Sequence, residues 1–288
     1  MTGQRFHARM AESFIINLAP TGMVPTKSDN GAVPETASEI AAECARCRDL
    51  GAAIVHIHAR VAGAPTYRKD VYAEIIGAVR ERCPDLIICV SCSGRNFSEL
   101  AQRAEVLELA GPLKPDLASL TLGSMNFPKQ ASVNAPETIR ALAEKMRRAD
   151  IVPELETFEI GMVDTARYLL ETGVLARPFY INLIFGSGGT LTLNPTNFAA
   201  MVAAVPHGGI WSAGGIGRHQ LAANVMGLAG GGHVRLGLED TLFMDADRRE
   251  PATNARLVER IVTIGRALGR EPALPQEARK IIGLTNCP

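Results

Sequence analysis

"AAIVHIHAR" (Ala52 to Arg60) is apolar on both faces until two histidines, His56 and His58, appear near its end, one residue apart. A short apolar run of this kind reads as a strand buried on both sides, the type found in parallel sheets covered by helices. Side chains at i and i+2 leave the same face of a strand, so the two imidazoles point together. A single histidine there would read as a satisfied core residue. A pair at the carboxyl end of a buried strand reads as two metal ligands.

The rest of the chain repeats this plan. Apolar runs rich in Val, Ile and Leu fall at Phe14–Ala19, Ala53–His58, Leu86–Ser91, Leu117–Leu122, Ile151–Thr157, Phe179–Phe185, Gly209–Ala213 and Val234–Leu238. Amphipathic patterns of helical length lie near 35–50, 68–82, 98–110, 136–149, 163–175, 196–204, 218–229 and 252–269. Thr36 with Glu39, and Ala135-Pro136-Glu137, are helix-start signals. Eight strand–helix units without a low-complexity linker predict parallel pairing and closure into a (β/α)8 TIM barrel. Residues 1–288 are expected to form this single domain, with Pro275–Leu284 as a terminal helix. An open doubly wound sheet is the alternative, but no G-x-G-x-x-G follows the first strand, where a dinucleotide fold would carry it.

Composition is that of an ordinary soluble globular protein, with 47% hydrophobic and 21% charged residues. The formal net charge is zero and no basic block is present, which gives no support for nucleic-acid binding. No apolar run approaches the roughly 18 residues of a membrane span, and the N-terminus lacks the apolar region of a signal peptide. The six cysteines (Cys44, Cys47, Cys83, Cys89, Cys92 and Cys287) are few and unevenly spaced. Cys44 and Cys47 form a C-x-x-C inside a helical pattern, without a second pair at zinc-ribbon spacing, and read as packing or surface thiols. The expected setting is a reducing cytoplasm.

Active sites of such barrels form at the carboxyl ends of the strands. Besides His56 and His58, these ends carry Ser91, Ser93, Gly94 and Arg95 on the third strand, Ser119 and Thr121 on the fourth, and Glu154 and Glu156 on the fifth. The eighth brings Arg235, then Glu239 and Asp240. Strand serines usually bond the backbone, and an acidic pair at a strand end can simply complement a helix N-terminus. Carboxylates in a buried run, however, are rare without a partner. Two histidines and a carboxylate with open positions suit Zn²⁺ as a Lewis acid, or a related divalent ion.

The histidines are His7, His56, His58, His207, His219 and His233. Amidohydrolase barrels carry H-x-H on the first strand and further histidines on strands five and six, a pattern this chain lacks. His233 stands at the start of its strand and reads as structural. Two glycine-rich stretches, "FGSGGT" (Phe185–Thr190) and "SAGGIGRHQ" (Ser212–Gln220), follow strands six and seven. Backbone N–H groups around Gly215 and Gly217, with Arg218, would suit the phosphates of a nucleotide-bearing cosubstrate such as coenzyme A.

Taken together, "APTG", "AVPETASEIAAE", "GAAIVHIHAR", "LASLTLGSMNF", "VPELETFEIGMVD", "AGGIGR", "GGHVRLGLEDTLF" and "EARKIIGL" resemble the β-keto acid cleavage enzymes nearly end to end. The resemblance implies a Zn²⁺-binding barrel that combines a 3-keto acid with acetyl-CoA to give acetoacetate and a new acyl-CoA. By position it implies His56, His58 and Glu239 as metal ligands and Asp240 with Arg235 as the acid–base pair. It also implies substrate contacts from Ser91, Gly94, Ser119 and Glu156, with Thr121 on the same face as Ser119, and a homo-oligomer, often a tetramer.

One position departs from the pattern. The family member that acts on 3-keto-5-aminohexanoate has a carboxylate two places after the "TG" of strand one. Here Val24 stands there, beside Met23. Valine cannot pair with an ammonium group, so the expected keto acid lacks an amine at that point. Two rival readings are a metal-dependent aldolase or lyase that acts without coenzyme A, and a catalytically silent barrel. The first would not need the glycine-rich loops. The second has no reason to gather Glu156, Arg235, Glu239 and Asp240 at one rim.

Overall fold

The eight apolar runs form a closed ring of parallel strands in the computed structural model, which describes residues 13–284. In chain order they are β1 (Ile16–Leu18), β2 (Ile54–Ile57), β3 (Ile87–Val90), β4 (Leu117–Thr121), β5 (Val152–Thr157), β6 (Phe179–Phe185), β7 (Gly209–Gly215) and β8 (His233–Leu236). Each pairs with the next, and β8 closes on β1 through Val234↔Ile16 and Arg235↔Asn17. His7 and Cys287 lie outside the described residues.

The helices are α1 (Ala37–Leu50), α2 (Lys69–Arg82), α3 (Leu100–Ala104), α4 (Pro136–Arg148), α5 (Ile160–Glu171), α6 (Pro195–Ala204), α7 (Gln220–Ala229), α8 (Asn254–Ala267) and α9 (Pro275–Ile282). At the start of α1, the Glu39 N–H donates to Thr36 Oγ (3.2 Å) while Thr36 N–H donates to Glu39 Oε2 (3.1 Å). Such a reciprocal cap stabilises a helix by ~1 kcal/mol. Among the described residues no helix is long and apolar enough to cross a membrane.

Several boundaries differ from expectation, among them the fifth helix, which runs over Ile160–Glu171 instead of 163–175. The first strand is split: Ser13–Phe14 pairs with Glu271–Pro272 at the foot of the barrel, and only Ile16–Leu18 joins the ring. The third helical pattern is α-helical only to Ala104 and then tightens into a 3₁₀ turn over Glu105–Glu108. The seventh strand continues two residues farther, to Gly215. Cys44 and Cys47 are free and buried, packed between α1 and the barrel.

The two-residue period stacks the barrel interior into layers of increasing polarity. At the bottom, Ile15, Ile54, Ile87, Leu117 and Tyr180 form an apolar plug, which Ala278 and Ile282 of α9 close from below. One step up each strand the interior turns polar: Asn17, His56, Cys89, Ser119, Glu154, Asn182, Ser212 and Arg235 are all buried. Buried polar groups cost least when they find partners, and several of these bond one another. Asn17 Nδ2 donates to Glu154 Oε1 at 2.5 Å and Ser212 Oγ donates to Asn182 Oδ1. The next step up carries His58, Ser91, Thr121 and Glu156, at the carboxyl rim.

His233 faces the foot of the barrel, where its Nδ1 accepts the Ile15 N–H at 3.0 Å. Burial, reinforced by the Arg270 guanidinium, pushes its pKa down to about 4 from an ordinary 6.5. The unfolded chain therefore binds this proton more readily, so the stabilisation is complete above pH 6.5 and is lost as pH falls toward 4. The loss amounts to ~3 kcal/mol. Urea denaturation between pH 7 and pH 4 should show it, and His233→Asn, which keeps an acceptor but cannot titrate, should flatten the decline by that amount. An equal slope in both proteins would remove His233 as its cause.

Candidate active site

β2 ends with its two imidazoles facing each other, His56 Nε2 lying 3.2 Å from His58 Nε2. The other nitrogen of His56, Nδ1, is 2.6 Å from Glu154 Oε2. A carboxylate accepts the Nδ1 proton, which fixes the tautomer and leaves the Nε2 lone pair aimed at His58. His58 Nε2 in turn lies 3.3 Å from Glu239 Oε1. The ligand atoms of His56, His58 and Glu239 all lie within 4.8 Å of one another.

Glu239 reaches this position because the turn after β8 packs tightly on the segment after β1. Gly237 has φ +146°, and a Cβ there would stand 2.0 Å from the Ala19 carbonyl oxygen. Gly22 has φ +70°, and its Cβ would stand 2.5 Å from Glu239 Cγ. Only glycine fits at either place. This is the physical content of the "TG" and "LGLED" motifs.

Arg235 projects from β8 into a ring of acids. Its Nη1 is 3.1 Å from Glu156 Oε1 and 3.9 Å from Glu154 Oε2, its Nη2 2.8 Å from Glu239 Oε1, and its Nε 3.2 Å from Asp240 Oδ2. Four carboxylates face one guanidinium, and even with His56 paired to Glu154 negative charge stays in excess in this buried region. Burial alone would disfavour such charge strongly. Glu239 Oε2 is also buried, without a hydrogen-bond partner among the described residues. A divalent cation on His56, His58 and Glu239 would supply the missing charge and a partner for that oxygen, and two imidazoles plus a carboxylate is a donor set that suits zinc with a position left open.

The titration behaviour follows the same charge distribution. Burial opposes a charge on His56, but the Glu154 carboxylate overrides it and raises the pKa to about 9, so a metal ion would bind His56 by displacing its Nε2 proton. His58 is held below its ordinary value by burial. Burial would raise Glu154 and Glu239, but His56 draws Glu154 down to about 2, and His58 with Arg235 draws Glu239 well below the carboxylate range. Asp240 goes the other way: burial pushes it up to about 6, against Arg235 and with Glu239. Its Oδ2 accepts from Arg235, while Oδ1 accepts no hydrogen bond among the described residues.

Above the rim opens a cavity of about 790 Å³, lined by His58, Ser91, Thr121, Glu156, Arg235, Glu239 and Asp240 together with Val24, Gly217 and Arg218. Thr121 Oγ1 donates to Glu156 Oε2 at 2.8 Å. Four expected residues do not line it, His56 among them because it stands below the rim. Ser119 lies one layer lower, its hydroxyl accepting the Cys92 N–H at 3.1 Å. Gly94 packs against Arg103 and Gly215 against the backbone of His219. The N–H groups of Ile216 and Gly217 are committed to Phe185 O and Asp240 O. Those two amides are therefore not free for a phosphate, which leaves Arg218 as the charged group of that segment at the cavity.

Two roles escaped the sequence reading. Glu154 stood out as a buried carboxylate, but its task, orienting His56, depends on a contact 98 residues away along the chain. Arg60 is buried and donates to the carbonyls of Gly22 (2.7 Å), Pro25 (2.6 Å) and Gly63 (2.6 Å). It ties the loop bearing Met23 and Val24 to β2. The available signal was its spacing, two residues past His58.

A family model described as beta-keto acid cleavage enzyme matches residues 13–284. The 3-keto-5-aminohexanoate cleavage enzyme of Fusobacterium nucleatum is 35% identical over 277 residues, covering 96% of this chain and 99% of that protein. The 3-oxoadipate:acetyl-CoA acetyltransferase of Cupriavidus necator is 33% identical over 279 residues, covering 96% of both. A solved ternary complex of ObcA with a C4-CoA adduct and oxalate shares the fold, with a TM-score of 0.75 at 20% identity over 88% of this chain and 68% of that one.

Glu154→Gln should keep the shape of the site and lose the charge that orients His56. Substitution of such an outer partner lowers metal affinity by ~10–100-fold. Zinc competition with a chromogenic chelator should read that drop, and unchanged affinity would deny Glu154 the role.

Proposed function

This chain belongs to the beta-keto acid cleavage enzyme family, and from that premise we propose that it is a zinc enzyme transferring the acyl group of a 3-keto acid to coenzyme A, with acetyl-CoA consumed and acetoacetate released. The observation that carries this reading is the group Asp240–Arg235–Glu239 at the floor of the cavity, a base and its orienting cation beside the candidate metal ligands. Zn²⁺ held by His56, His58 and Glu239 would supply Lewis-acid stabilisation of the charge that develops on the 3-keto oxygen.

Asp240 Oδ1 takes a proton from C2 of the keto acid, a task matched to a carboxylate whose pKa burial has raised toward neutrality. Arg235 Nε holds Oδ2, so the carboxylate is oriented before substrate arrives. The C2 carbanion forms a bond to the acetyl thioester carbon, and the coenzyme A thiolate leaves. That thiolate attacks the former 3-keto carbon, the C2–C3 bond breaks, and the new acyl thioester departs. Asp240 returns its proton to C2, giving acetoacetate. Glu156, Thr121 and Ser91 line the cavity around the reacting carbons, and Arg218, exposed at its mouth, is available to the phosphates of coenzyme A. Val24 at the cavity wall favours a keto acid without an amine there.

Zinc-loaded protein incubated with a 3-keto acid and acetyl-CoA should release acetoacetate and acyl-CoA in equal amounts. Consumption of the keto acid without acetyl-CoA would instead indicate a lyase. Asp240→Asn should retain its zinc and lose ~10²–10⁴-fold in kcat, the range for removal of a general base. Near-normal turnover by that variant would place the base elsewhere.

A further inference from the structure

Arg95 is a charged group in the cavity that the cleavage reaction does not use; Arg248 also lines the cavity, but it is exposed, whereas Arg95 is not. It lies in the loop after β3, half-buried, and lines the cavity beside Phe127. Its guanidinium carbon stands 4.1 Å from the centroid of the Phe127 ring. The main chain around it is pinned: Arg95 N–H donates to Ser93 Oγ (3.2 Å), and Arg95 O accepts from Gln130 Nε2 (2.9 Å). The arginines buried around the rim all donate to acceptors of this chain, Arg60 to loop carbonyls, Arg103 to Cys92 O and Asn134, and Arg235 to carboxylates. Among the described residues the Arg95 guanidinium stacks on Phe127 with no hydrogen bond or ion pair to a side chain or carbonyl, and the Glu239 carboxylate acts on it only at longer range. A guanidinium keeps its charge under nearly all conditions and offers five donors in one plane. Stacked on an aromatic ring and partly desolvated, it is arranged in advance for a planar anion.

We propose that Arg95 is a specificity-determining residue that binds a second carboxylate at the far end of the keto acid, so that the substrate class is a dianionic 3-keto acid. This rests on the β-keto acid reading of the same cavity. Phe127, Met125 and Pro128 give that part of the cavity an apolar wall suited to a methylene chain, and Val24 adds no competing negative charge. Coenzyme A phosphates are the other anions at hand, but their candidate partner Arg218 follows β7. In an eight-stranded ring β3 and β7 stand opposite each other, so Arg95 and Arg218 approach the cavity from opposite sides.

Calorimetric titration of the zinc-loaded protein with 3-keto acids of equal length, ending in carboxylate, methyl or ammonium, tests this without turnover. The carboxylate-ended acid should bind ~10–100-fold more tightly than the methyl-ended one, the range of a charge-assisted contact, and the ammonium-ended acid weakest. Arg95→Met should bring the carboxylate-to-methyl ratio close to one. Arg95→Lys, which keeps the charge without the planar fork, should leave it intermediate. Equal binding of the two acids by the wild type, a ratio unchanged in both variants, or a loss confined to acetyl-CoA affinity would each overturn the assignment. If the preference depends on Arg95 but acetyl-CoA yields no acetoacetate, the Arg95 site stands and the cleavage reaction falls. Acetoacetate formation without a carboxylate preference gives the converse.

Discussion

Arg235 holds four carboxylates around one buried guanidinium, within 3.1 Å of Glu156, 2.8 Å of Glu239, 3.2 Å of Asp240 and 3.9 Å of Glu154. Such a cluster is unfavourable to bury unless more positive charge joins it, since the desolvation of each ion costs several kcal/mol and only part is recovered by pairing. The two histidines beside it offer lone pairs to a cation, and the unpartnered Glu239 oxygen completes the donor set. The excess of acid thus links three properties that would otherwise be separate: an affinity for a divalent ion, a carboxylate held ready as a base, and a rim where an anionic carbon can form.

The barrel makes this cluster possible by dividing labour along its axis. Its lower layer is a plug of Ile15, Ile54, Ile87, Leu117 and Tyr180, sealed by α9. α9 is fastened to the barrel by Arg279 Nη1 on Asp116 Oδ1 (2.9 Å), while Asp116 Oδ2 accepts from Arg80 and from the Ile88 N–H. Above the plug, side-chain hydrogen bonds link the polar layer, Asn17 to Glu154 and Ser212 to Asn182, and one step higher the reactive groups face the cavity. Rigidity below and solvent access above are what a preorganised site requires.

Much of this was legible in the sequence because it depends on local period. Alternation within single strands put His56 with His58, Ser119 with Thr121 and Glu154 with Glu156. The order of eight strand–helix units gave the ring, and with it a shared rim for groups from β2, β5 and β8. Features that depend on distances across the ring were not legible. Nothing in "VPELETFE" distinguishes Glu154, which supports His56 from below, from Glu156, which faces the cavity. Ser119 reads like Ser91, yet its hydroxyl is taken by the Cys92 amide. The glycines of "AGGIGR" suggest free N–H groups, whereas Gly217 spends its own on Asp240 O and so ties that loop to the base. The split of the first strand at Ile15 arose from a pairing with Glu271–Pro272, more than 250 residues away.

If Asp240 and Arg235 form a centre for carbanion formation, the first half-reaction must run on the keto acid alone. Deuterium uptake at C2 of a 3-keto acid in heavy water, followed by NMR with zinc-loaded protein and no acetyl-CoA, measures it directly. Exchange should exceed the protein-free rate by at least ~10²-fold and return to that rate in Asp240→Asn. Exchange at the protein-free rate, in preparations that still form acetoacetate once acetyl-CoA is added, would show that this acid–arginine pair does not remove the proton.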